Sequence, residues 1–275
     1  MKSSNQPFSV VILAADRELH DPVAQSAAVS CKALTPVAGR AMVLRVLDAL
    51  AATHEVGVRI LAGPAMISVE QNAELHGLVN SGQVRWFAPQ ASPSSSAFSV
   101  LQALPEDVPV LVTTADHALL TAAMVDHFCA AARGSGCDVV AGVSRHDLVA
   151  KAFPGTRRTV TRLKDGGYCG CNLFAFLTPQ ARFAADFWRR VEKERKKPLR
   201  IVKVMGWLTV LRYLAGQLTL AQALARLSQR MRMTVGVVQM PFAEAAVDVD
   251  KVDDWRLVES ILAGKTQKAP RGEAL

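Results

Sequence analysis

Short, continuously apolar runs alternate with amphipathic helical patterns through the first half of this sequence. The segments FSVVILAA at Phe8–Ala15 and VPVLVTT at Val108–Thr114 are apolar without alternation, which is typical of strands buried on both faces of a parallel sheet. Between them, residues 41–52 place their apolar side chains on one helical face. This βαβα order predicts an α/β fold, a three-layer arrangement with helices on both faces of a mostly parallel sheet.

The remaining patterns extend this plan along the chain. Strands are predicted at Gly57–Ala62, Val84–Phe87 and Asp138–Val143. Helices are predicted at Ser95–Leu104 and at Thr121–Ala132, the second with Thr121 as its N-cap. The second half predicts a hairpin of Thr159–Lys164 and Cys171–Phe176 around Asp165-Gly166-Gly167, a strand pair Val235–Gln239 and Ala246–Asp250, and a last helix Lys251–Leu262.

Half of the residues are hydrophobic and 20% are charged, which is enough apolar surface for a packed core and excludes a disordered protein. Residues 180–230 are almost entirely helical in pattern, with breaks near Pro198 and Gly216, and are interpreted as a helical insertion. Residues 1–263 are then one domain, and the polar residues 264–275 are predicted to be a disordered tail.

Composition also restricts the location and partners of the chain. An odd number of cysteines, no signal peptide and no apolar run long enough to span a bilayer lead us to expect a cytoplasmic protein. The net charge of +8 favours an anionic partner. The basic cluster 189–203 has no interleaved aromatic residues and no nucleic-acid motif occurs, so we expect no nucleic-acid partner.

Ligands of open parallel sheets bind beyond the carboxyl ends of the strands. The segment from Ala14 to Lys32 should lie there. After Leu13, the small residues Ala14 and Ala15 allow a phosphate to approach the backbone, so these three positions are candidates for nucleotide binding. Arg17 and Lys32 supply positive charge. An ordinary surface loop with basic residues is the alternative interpretation.

Two acidic segments are expected at the same edge. Asp116 directly follows a buried strand, where a carboxylate suits a magnesium ion or, alternatively, caps the following turn. Alternation places Asp248 and Asp250 on one side of the C-terminal strand. We predict Asp248 as a second metal ligand and Asp250 as mainly a helix cap, with Asp253 in capping-box position.

These segments together resemble the MobA-like NTP-transferase family, which includes molybdenum-cofactor nucleotidyltransferases and relatives of sugar-phosphate and isoprenoid-precursor nucleotidyltransferases. The matching stretches are VVILAADR, CKALTPVAGRAMVLRVLDAL in place of the family's P-K-x-L-x-x-x-x-G-K-P-M-L, TTADHALLTAAMVDHF and VDVDKVDDWRLVESIL. The resemblance implies a Rossmann-like, GT-A-like sheet, Lys32 on the α-phosphate and Arg17 near the triphosphate. It also implies Asp116 with Asp248 on Mg²⁺.

The chain departs from the family pattern in its first loop. Asp16 stands where the family has a glycine, Cys31 replaces a proline, and the loop to Lys32 is long. A carboxylate there repels triphosphate oxygens unless it turns away or helps to hold a metal. The family segment that reads the nucleobase is a serine run here, and its Ser95 and Ser96 are candidates for contacting a base.

The resemblance places an acceptor over the second half of the sheet. Asn172 is the candidate for hydrogen bonding to an acceptor hydroxyl or phosphate, with a purely structural role as the alternative. Arg157, Arg158 and Lys164 are candidates for an acceptor phosphate.

The predicted activity is nucleotidyl transfer from an NTP to a phosphorylated small molecule. A glycosyltransferase that uses a sugar nucleotide and an inactive nucleotide-binding module are the alternatives. Residues 189–230 combine a basic cluster with an amphipathic pattern. Packing onto the domain or a dimer partner is the favoured interpretation of that segment, and contact with an anionic membrane or a membrane enzyme is the other.

Overall fold

The computed structural model describes residues 6–16, 21–194 and 206–264. The strands of its main sheet follow the order β10-β7-β9-β6-β1-β4-β5, with β8 paired to β9, and β2 and β3 form a separate ribbon. The strands are β1 Phe8–Leu13, β2 Pro36–Val37, β3 Arg40–Ala41, β4 Val56–Ala62, β5 Arg85–Phe87, β6 Val110–Thr114, β7 Val139–Arg145, β8 Thr161–Leu163, β9 Gly166–Phe176 and β10 Val235–Gln239.

The described α-helices connect and cover these strands. They are α1 Pro22–Ser26, α2 Met42–Ala51, α3 Met66–Glu70, α4 Ala73–Asn80, α5 Pro93–Ala103, α6 Ala122–Gly134, α7 His146–Ala152, α8 Arg182–Glu194, α9 Trp207–Leu214, α10 Leu220–Met231 and α11 Val252–Leu262. Among these described helices, none is both long and apolar enough to cross a bilayer.

In the main sheet most of the described strand pairs are parallel, and the antiparallel ones all involve β9. β1 pairs in parallel with β4 and β6, and β7 does so with β10. β9 lies antiparallel between β6 and β7. The predicted α/β class with a mostly parallel sheet is therefore confirmed, and the central position of β1 explains its unbroken apolar sequence.

Successive side chains of β1 point into two separate cores. Val10 and Ile12 pack with residues of α2 and α6, whereas Val11 and Leu13 pack with residues of α5 and α8. Alternation along a strand sends neighbouring residues to opposite faces, so these two clusters are the two helical layers of the predicted three-layer arrangement.

Local boundaries follow the predictions with a few corrections. Thr121 caps α6, as predicted. Helix α5 starts at Pro93 rather than Ser95, because Ser92 accepts the Ser95 N–H as its N-cap. A hairpin forms here, but its second strand starts at Gly166, which pairs with Leu163 across a two-residue turn, so β8 pairs with residues 166–168. The predicted partner strand Cys171–Phe176 is wrong in this pairing, since its residues 174–176 pair with β6 and β7 instead.

The predicted strand Ala246–Asp250 is wrong. Glu244–Ala246 is a short 3₁₀ turn, and residues 247–250 are not part of a strand ladder. Alternation of apolar and acidic residues satisfied the strand pattern, but the segment crosses the end of β6 instead of pairing along an edge. It is bonded to the turn that follows β6, where the Asp116 carbonyl accepts the Val249 N–H at 3.1 Å.

The described part of the 180–230 segment is helical, as α8, α9 and α10, and α9 ends just before Gly216. Pro198, the predicted break, and the predicted tail beyond residue 264 lie outside the described residues. α10 contacts β10, whereas α9 keeps several large apolar side chains exposed.

His117, in the turn after β6, is 1% exposed. Neither of its ring nitrogens has a hydrogen-bond partner in the part of the chain that the structure describes. Burial lowers the pKa of this imidazole to about 4, despite the opposing effect of Asp116. The ring is therefore neutral in the folded chain at neutral pH.

We predict that His117 makes stability depend on pH between about 4 and 6.5. In that range an unfolded histidine binds a proton and the folded one does not. The free energy of unfolding therefore decreases as the pH is lowered from about 6.5 to about 4, by up to about 3 kcal/mol. Urea unfolding of His117→Leu should show a flatter profile than the unchanged chain across this range. Parallel profiles would contradict the prediction.

Candidate functional site

Segments from distant parts of the sequence meet at the carboxyl ends of β1 and β6. Beyond β1, the Ala14 N–H still donates to the Ala62 carbonyl at 3.0 Å. Beyond β6, Asp116 accepts the Val249 N–H, which draws residues 247–250 over the end of that strand. The three segments expected at this edge from the sequence are therefore brought together.

The Lys32 ammonium lies between two carboxylates at this edge. Its Nζ is 2.7 Å from Asp116 Oδ2 and 3.3 Å from Asp250 Oδ1. Burial lowers the pKa of Lys32, but Asp116 and Asp250 outweigh burial and leave the pKa above its ordinary value. Lys32 is thus a fixed positive charge, 15% exposed at its side chain.

Thr114 orients the carboxylate of Asp116. The Thr114 hydroxyl, at the last position of β6, donates to Asp116 Oδ1 at 2.5 Å. The other oxygen, Oδ2, accepts from Lys32. Each oxygen thus has a defined donor, which holds the carboxylate toward the Lys32 ammonium.

Asp16 fixes the backbone of Lys32. Both of its carboxylate oxygens lie within hydrogen-bond distance of the Lys32 N–H, at 3.1 and 3.2 Å. Burial, followed by repulsion from Asp21, raises the pKa of the Asp16 carboxyl, while the Lys32 N–H lowers it. The carboxylate that replaces the expected glycine therefore ties the two ends of the long loop together.

A cleft of about 310 Å³ opens at this point. We call it the first cleft. Its lining combines several alanines, which leave the backbone accessible, with charged groups. The lining residues are Leu13, Ala14, Ala15, Asp16, Asp21, Pro22, Lys32, Ala33, Pro93, Thr114, Ala115, Asp116 and Asp250.

A second cleft, of about 830 Å³, lies beside it and is lined by residues 155–161, β9 and the start of α11. Asp248 is held at its wall. Arg158 Nη1 donates to the Asp248 carbonyl at 3.1 Å and lies 3.3 Å from Oδ1. Asn172 Nδ2 donates to Asp248 Oδ2 at 3.0 Å, and Arg158 also pairs with Asp254 at 3.1 Å.

The carboxylates of the two clefts repel each other electrostatically. Burial raises the pKa of Asp248 to about 6, and the charges of Asp250 and Asp116 add to this effect. Arg158 and Asn172 act in the opposite direction without cancelling it. Negative charge at the junction of the clefts is thus only partly compensated by the described residues.

Asp250 lines both clefts. Its predicted role as a helix cap is wrong, because Lys251 is the N-cap residue of α11. Asp254, not Asp253, accepts the N–H groups of Asp250 and Lys251, at 3.2 and 3.0 Å. The Asp250 carboxylate is thereby left to contact Lys32.

The carboxylates suit a divalent cation by their chemistry. Mg²⁺ prefers carboxylate oxygens, and the pKa of Asp248 is raised by burial and, to a lesser extent, by the charges of Asp250 and Asp116. Across the described ranges, however, no group of three or more His, Cys, Asp or Glu side chains is arranged to hold a metal ion. Binding of Mg²⁺ by Asp116 and Asp248 therefore stays a prediction. The structure adds Asp250 to the candidates, because Lys32 pairs with both Asp116 and Asp250.

The predicted site residues divide between the two clefts. Arg17 lies outside the described residues. Lys164 lines neither cleft and is exposed in the β8–β9 turn. The remaining backbone and charged candidates line the first cleft (Leu13, Ala14, Ala15, Lys32 and Asp116) or the second cleft (Arg157, Arg158, Asn172 and Asp248).

The serine candidates have structural partners. Ser96 is 2% exposed and its hydroxyl accepts the Gln90 N–H at 2.9 Å. Ser95 is hydrogen bonded to Ser92 at the start of α5. Neither serine lines the first cleft, where α5 contributes Pro93 instead.

The sequence interpretation missed Asp21 as a cleft residue. Asp21 caps α1 by accepting the Val23 and Ala24 N–H groups at 2.8 and 3.2 Å. The signal was present in the Asp21-Pro22 pair, since an acidic N-cap followed by proline is a typical helix start.

Comparisons with known proteins identify the family and the fold. The model of the MobA-like NTP transferase domain matches residues 10–231. A hypothetical transferase from Thermus thermophilus is 29% identical with a TM-score of 0.75, over 90% of this chain and 99% of that one. A comparison with curated proteins found no match.

Two named enzymes share the fold at low sequence identity. The first is 4-diphosphocytidyl-2C-methyl-D-erythritol synthase from Anaerococcus prevotii, at 15% identity and a TM-score of 0.56, over 94% of this chain and 96% of that one. The second is 2-C-methyl-D-erythritol 4-phosphate cytidylyltransferase from Thermus thermophilus, at 16% identity and a TM-score of 0.54, over 94% and 99%.

We predict that Lys32 stabilises the fold by offsetting the carboxylate charges. Lys32→Met should lower the free energy of unfolding by about 2–4 kcal/mol, because a largely buried Asp116 loses its counter-ion. Adding Asp116→Asn to that variant should recover part of the loss. Urea unfolding measures both effects.

The exposed pair of Arg256 and Asp253, at 3.3 Å, provides the matched control. Arg256→Met should change the free energy of unfolding by about 0.5 kcal/mol or less. Equal effects of Lys32→Met and Arg256→Met would show that the buried ion pair does not hold the site together.

Proposed function

Because the chain belongs to the MobA-like NTP transferase domain family, we propose that it transfers a nucleotidyl group from an NTP to a phosphorylated small molecule. The observation that carries this proposal is the Lys32 ammonium between Asp116 and Asp250, at the mouth of the first cleft. A fixed positive charge beside carboxylates suits a phosphate with an accompanying cation.

The first cleft is the proposed donor site. Ala14 and Ala15 carry no large side chain there, so triphosphate oxygens can approach the backbone beyond β1. Lys32 would exchange its contact with Asp116 for one with an oxygen of the α-phosphate. Asp16 supports this exchange indirectly, because it holds the Lys32 backbone and not the ammonium.

The second cleft is the proposed acceptor site. It is larger than the first and contains Arg157, Arg158 and Lys251 as positive groups. Arg158 is already paired with Asp248 and Asp254, so Arg157 and Lys251 are the groups that face an acceptor phosphate without an ion pair among the described residues. An acceptor bound there would lie next to Asp250, at the border of the donor site.

The proposed reaction is in-line displacement at the α-phosphorus. An oxygen of the acceptor phosphate forms a bond to that atom. The bond from the α-phosphorus to the oxygen that bridges to the β-phosphate breaks, and pyrophosphate leaves with the electron pair. The protein contributes alignment of the two substrates and neutralisation of charge, rather than covalent chemistry.

Asp116, with Asp248 or Asp250, would hold Mg²⁺. When bound, such an ion neutralises phosphate oxygens as their charge increases. Lys32 would act on the α-phosphate, and Thr114 would keep the Asp116 carboxylate in its present orientation through the bond to Oδ1.

One observation favours a second candidate, a nucleotide-binding module without catalysis. The Asp16 carboxylate lines the first cleft, where its charge opposes that of a triphosphate. This candidate predicts NTP binding without turnover. The glycosyltransferase alternative lacks a comparable observation, because the chain has Asp116-His117-Ala118 where that class normally needs Asp-x-Asp.

The proposal is tested by measuring pyrophosphate release with the four NTPs, Mg²⁺ and a library of sugar and alcohol phosphates. We expect release with one NTP and only when an acceptor phosphate is present. Binding of an NTP without release for any acceptor favours the non-catalytic module. Absence of NTP binding contradicts both candidates.

We predict that Lys32→Ala and Asp116→Ala each lower turnover a hundredfold or more. Each removes a charge that acts directly on the reacting phosphates or their cation, worth about 3–4 kcal/mol of barrier. Steady-state pyrophosphate release, with circular dichroism to verify folding, measures the effect.

The matched controls are Lys151→Ala and Asp107→Ala, since both side chains are exposed and line neither cleft. They should retain the turnover of the unchanged chain. Near-normal turnover in a folded Lys32→Ala or Asp116→Ala variant would remove that residue from the mechanism.

A further inference from the structure

Helix α9 exposes an unusually apolar side. Trp207, Leu208, Leu211 and Leu214 are 63%, 55%, 52% and 74% exposed. At 100° per residue these positions share one side of the helix, and Thr209, 6% exposed, lies on the opposite side. We call these four residues the apolar surface. Isolated exposed apolar residues are ordinary, but such a group on one helix indicates an interaction site.

Arginines, without acidic residues, accompany this surface in the sequence. From Gly206 to Ala243 the sequence contains four arginines and no aspartate or glutamate. Arg212 is exposed on α9 itself. Arg230 of α10 reaches the start of α9, where a Cβ added to Gly206 would lie 3.3 Å from its Nη2. The partner of the apolar surface should therefore carry negative charge.

We propose that α9 docks on an anionic lipid surface, with the apolar surface inserted among the acyl chains and Arg212, Arg226 and Arg230 at the phosphate groups. Exposed tryptophan and leucine beside arginine are the combination that such an interface binds. A second copy of the chain is a poorer partner, because it would bring two arginine-rich segments without carboxylates against each other.

The turn after α9 is hydrogen bonded to the β8–β9 hairpin. The Lys164 N–H donates to the Leu218 carbonyl at 2.9 Å, and the Leu220 N–H contacts both carboxylate oxygens of Asp165 at 3.1 Å. These bonds join the α9–α10 turn to the β8–β9 hairpin, which lines the second cleft. Docking would thus hold the hairpin, and with it one wall of the second cleft, near the lipid. That this affects access of the acceptor rests on the proposed function. Docking itself does not.

The test is co-sedimentation of the full chain with vesicles of phosphatidylcholine alone or with a third of phosphatidylglycerol. We expect binding to the anionic vesicles, weak binding to the neutral ones, and loss of binding at high salt, because the arginines are screened. Absence of binding to anionic vesicles at low salt overturns the proposal.

Variants separate the apolar and charged contributions. Trp207→Ser/Leu211→Ser/Leu214→Ser should abolish vesicle binding. Arg212→Gln/Arg226→Gln should weaken it about fivefold for each arginine removed, as expected for basic residues near an anionic surface. Ile67→Ser, at an apolar residue 67% exposed on α3, and Arg256→Gln, an exposed arginine on α11, are the matched controls and should bind normally.

Two further measurements complete the test. Sedimentation of the protein without vesicles reports its oligomeric state, and an NTP-binding assay reports whether the donor site is intact. The triple variant should remain folded and bind NTP as the unchanged chain does, so that failed docking is distinguished from a failed donor site. Vesicle binding that survives in the triple variant overturns the proposal. If the unchanged chain is a dimer, the triple variant is a monomer and neither binds vesicles, the proposal is overturned in favour of a second copy as the partner.

Discussion

The placement of one ammonium group constrains the whole site. Lys32 is largely buried, and a buried charge is costly unless carboxylates surround it. Those carboxylates come from Asp116 and Asp250, 84 and 218 residues further along the chain. The end of β6 and the segment before α11 must therefore both reach the loop that follows β1, and the clefts lie where they meet.

The same arrangement leaves the site with excess negative charge. Asp16, Asp116, Asp248 and Asp250 lie around Lys32 or line the clefts. Burial raises the pKa of Asp248, and the charges of Asp250 and Asp116 raise it further. A triphosphate alone would add to this negative charge, whereas a triphosphate with a divalent cation would offset it. This electrostatic argument supports the proposed dependence on Mg²⁺.

The fold could be predicted from the sequence where one residue pattern determines one local structure. The apolar runs of β1 and β6 predicted buried parallel strands, and Thr121 predicted the start of α6, because both depend on neighbouring residues alone. The antiparallel insertion of β9 between β6 and β7 had no such signal, since strand order depends on contacts between residues far apart in sequence.

Several candidates named from the sequence line the clefts, among them Lys32, Asp116 and Asp248, whereas Lys164, Ser95 and Ser96 do not. Asp250 satisfied the pattern of a helix cap, yet Lys251 and Asp254 provide the cap and leave Asp250 to contact Lys32. Ser95 and Ser96 were plausible base contacts, but the earlier start of α5 uses them within the protein. In both cases a boundary shift of one or two residues changed the role.

The most direct test of the central claim is a crystal structure of the chain with a non-hydrolysable NTP analogue and Mg²⁺. The account predicts the triphosphate in the first cleft, with Lys32 Nζ moved from Asp116 to an α-phosphate oxygen and the metal on the carboxylates. A triphosphate bound elsewhere, with Lys32 still between Asp116 and Asp250, would contradict it.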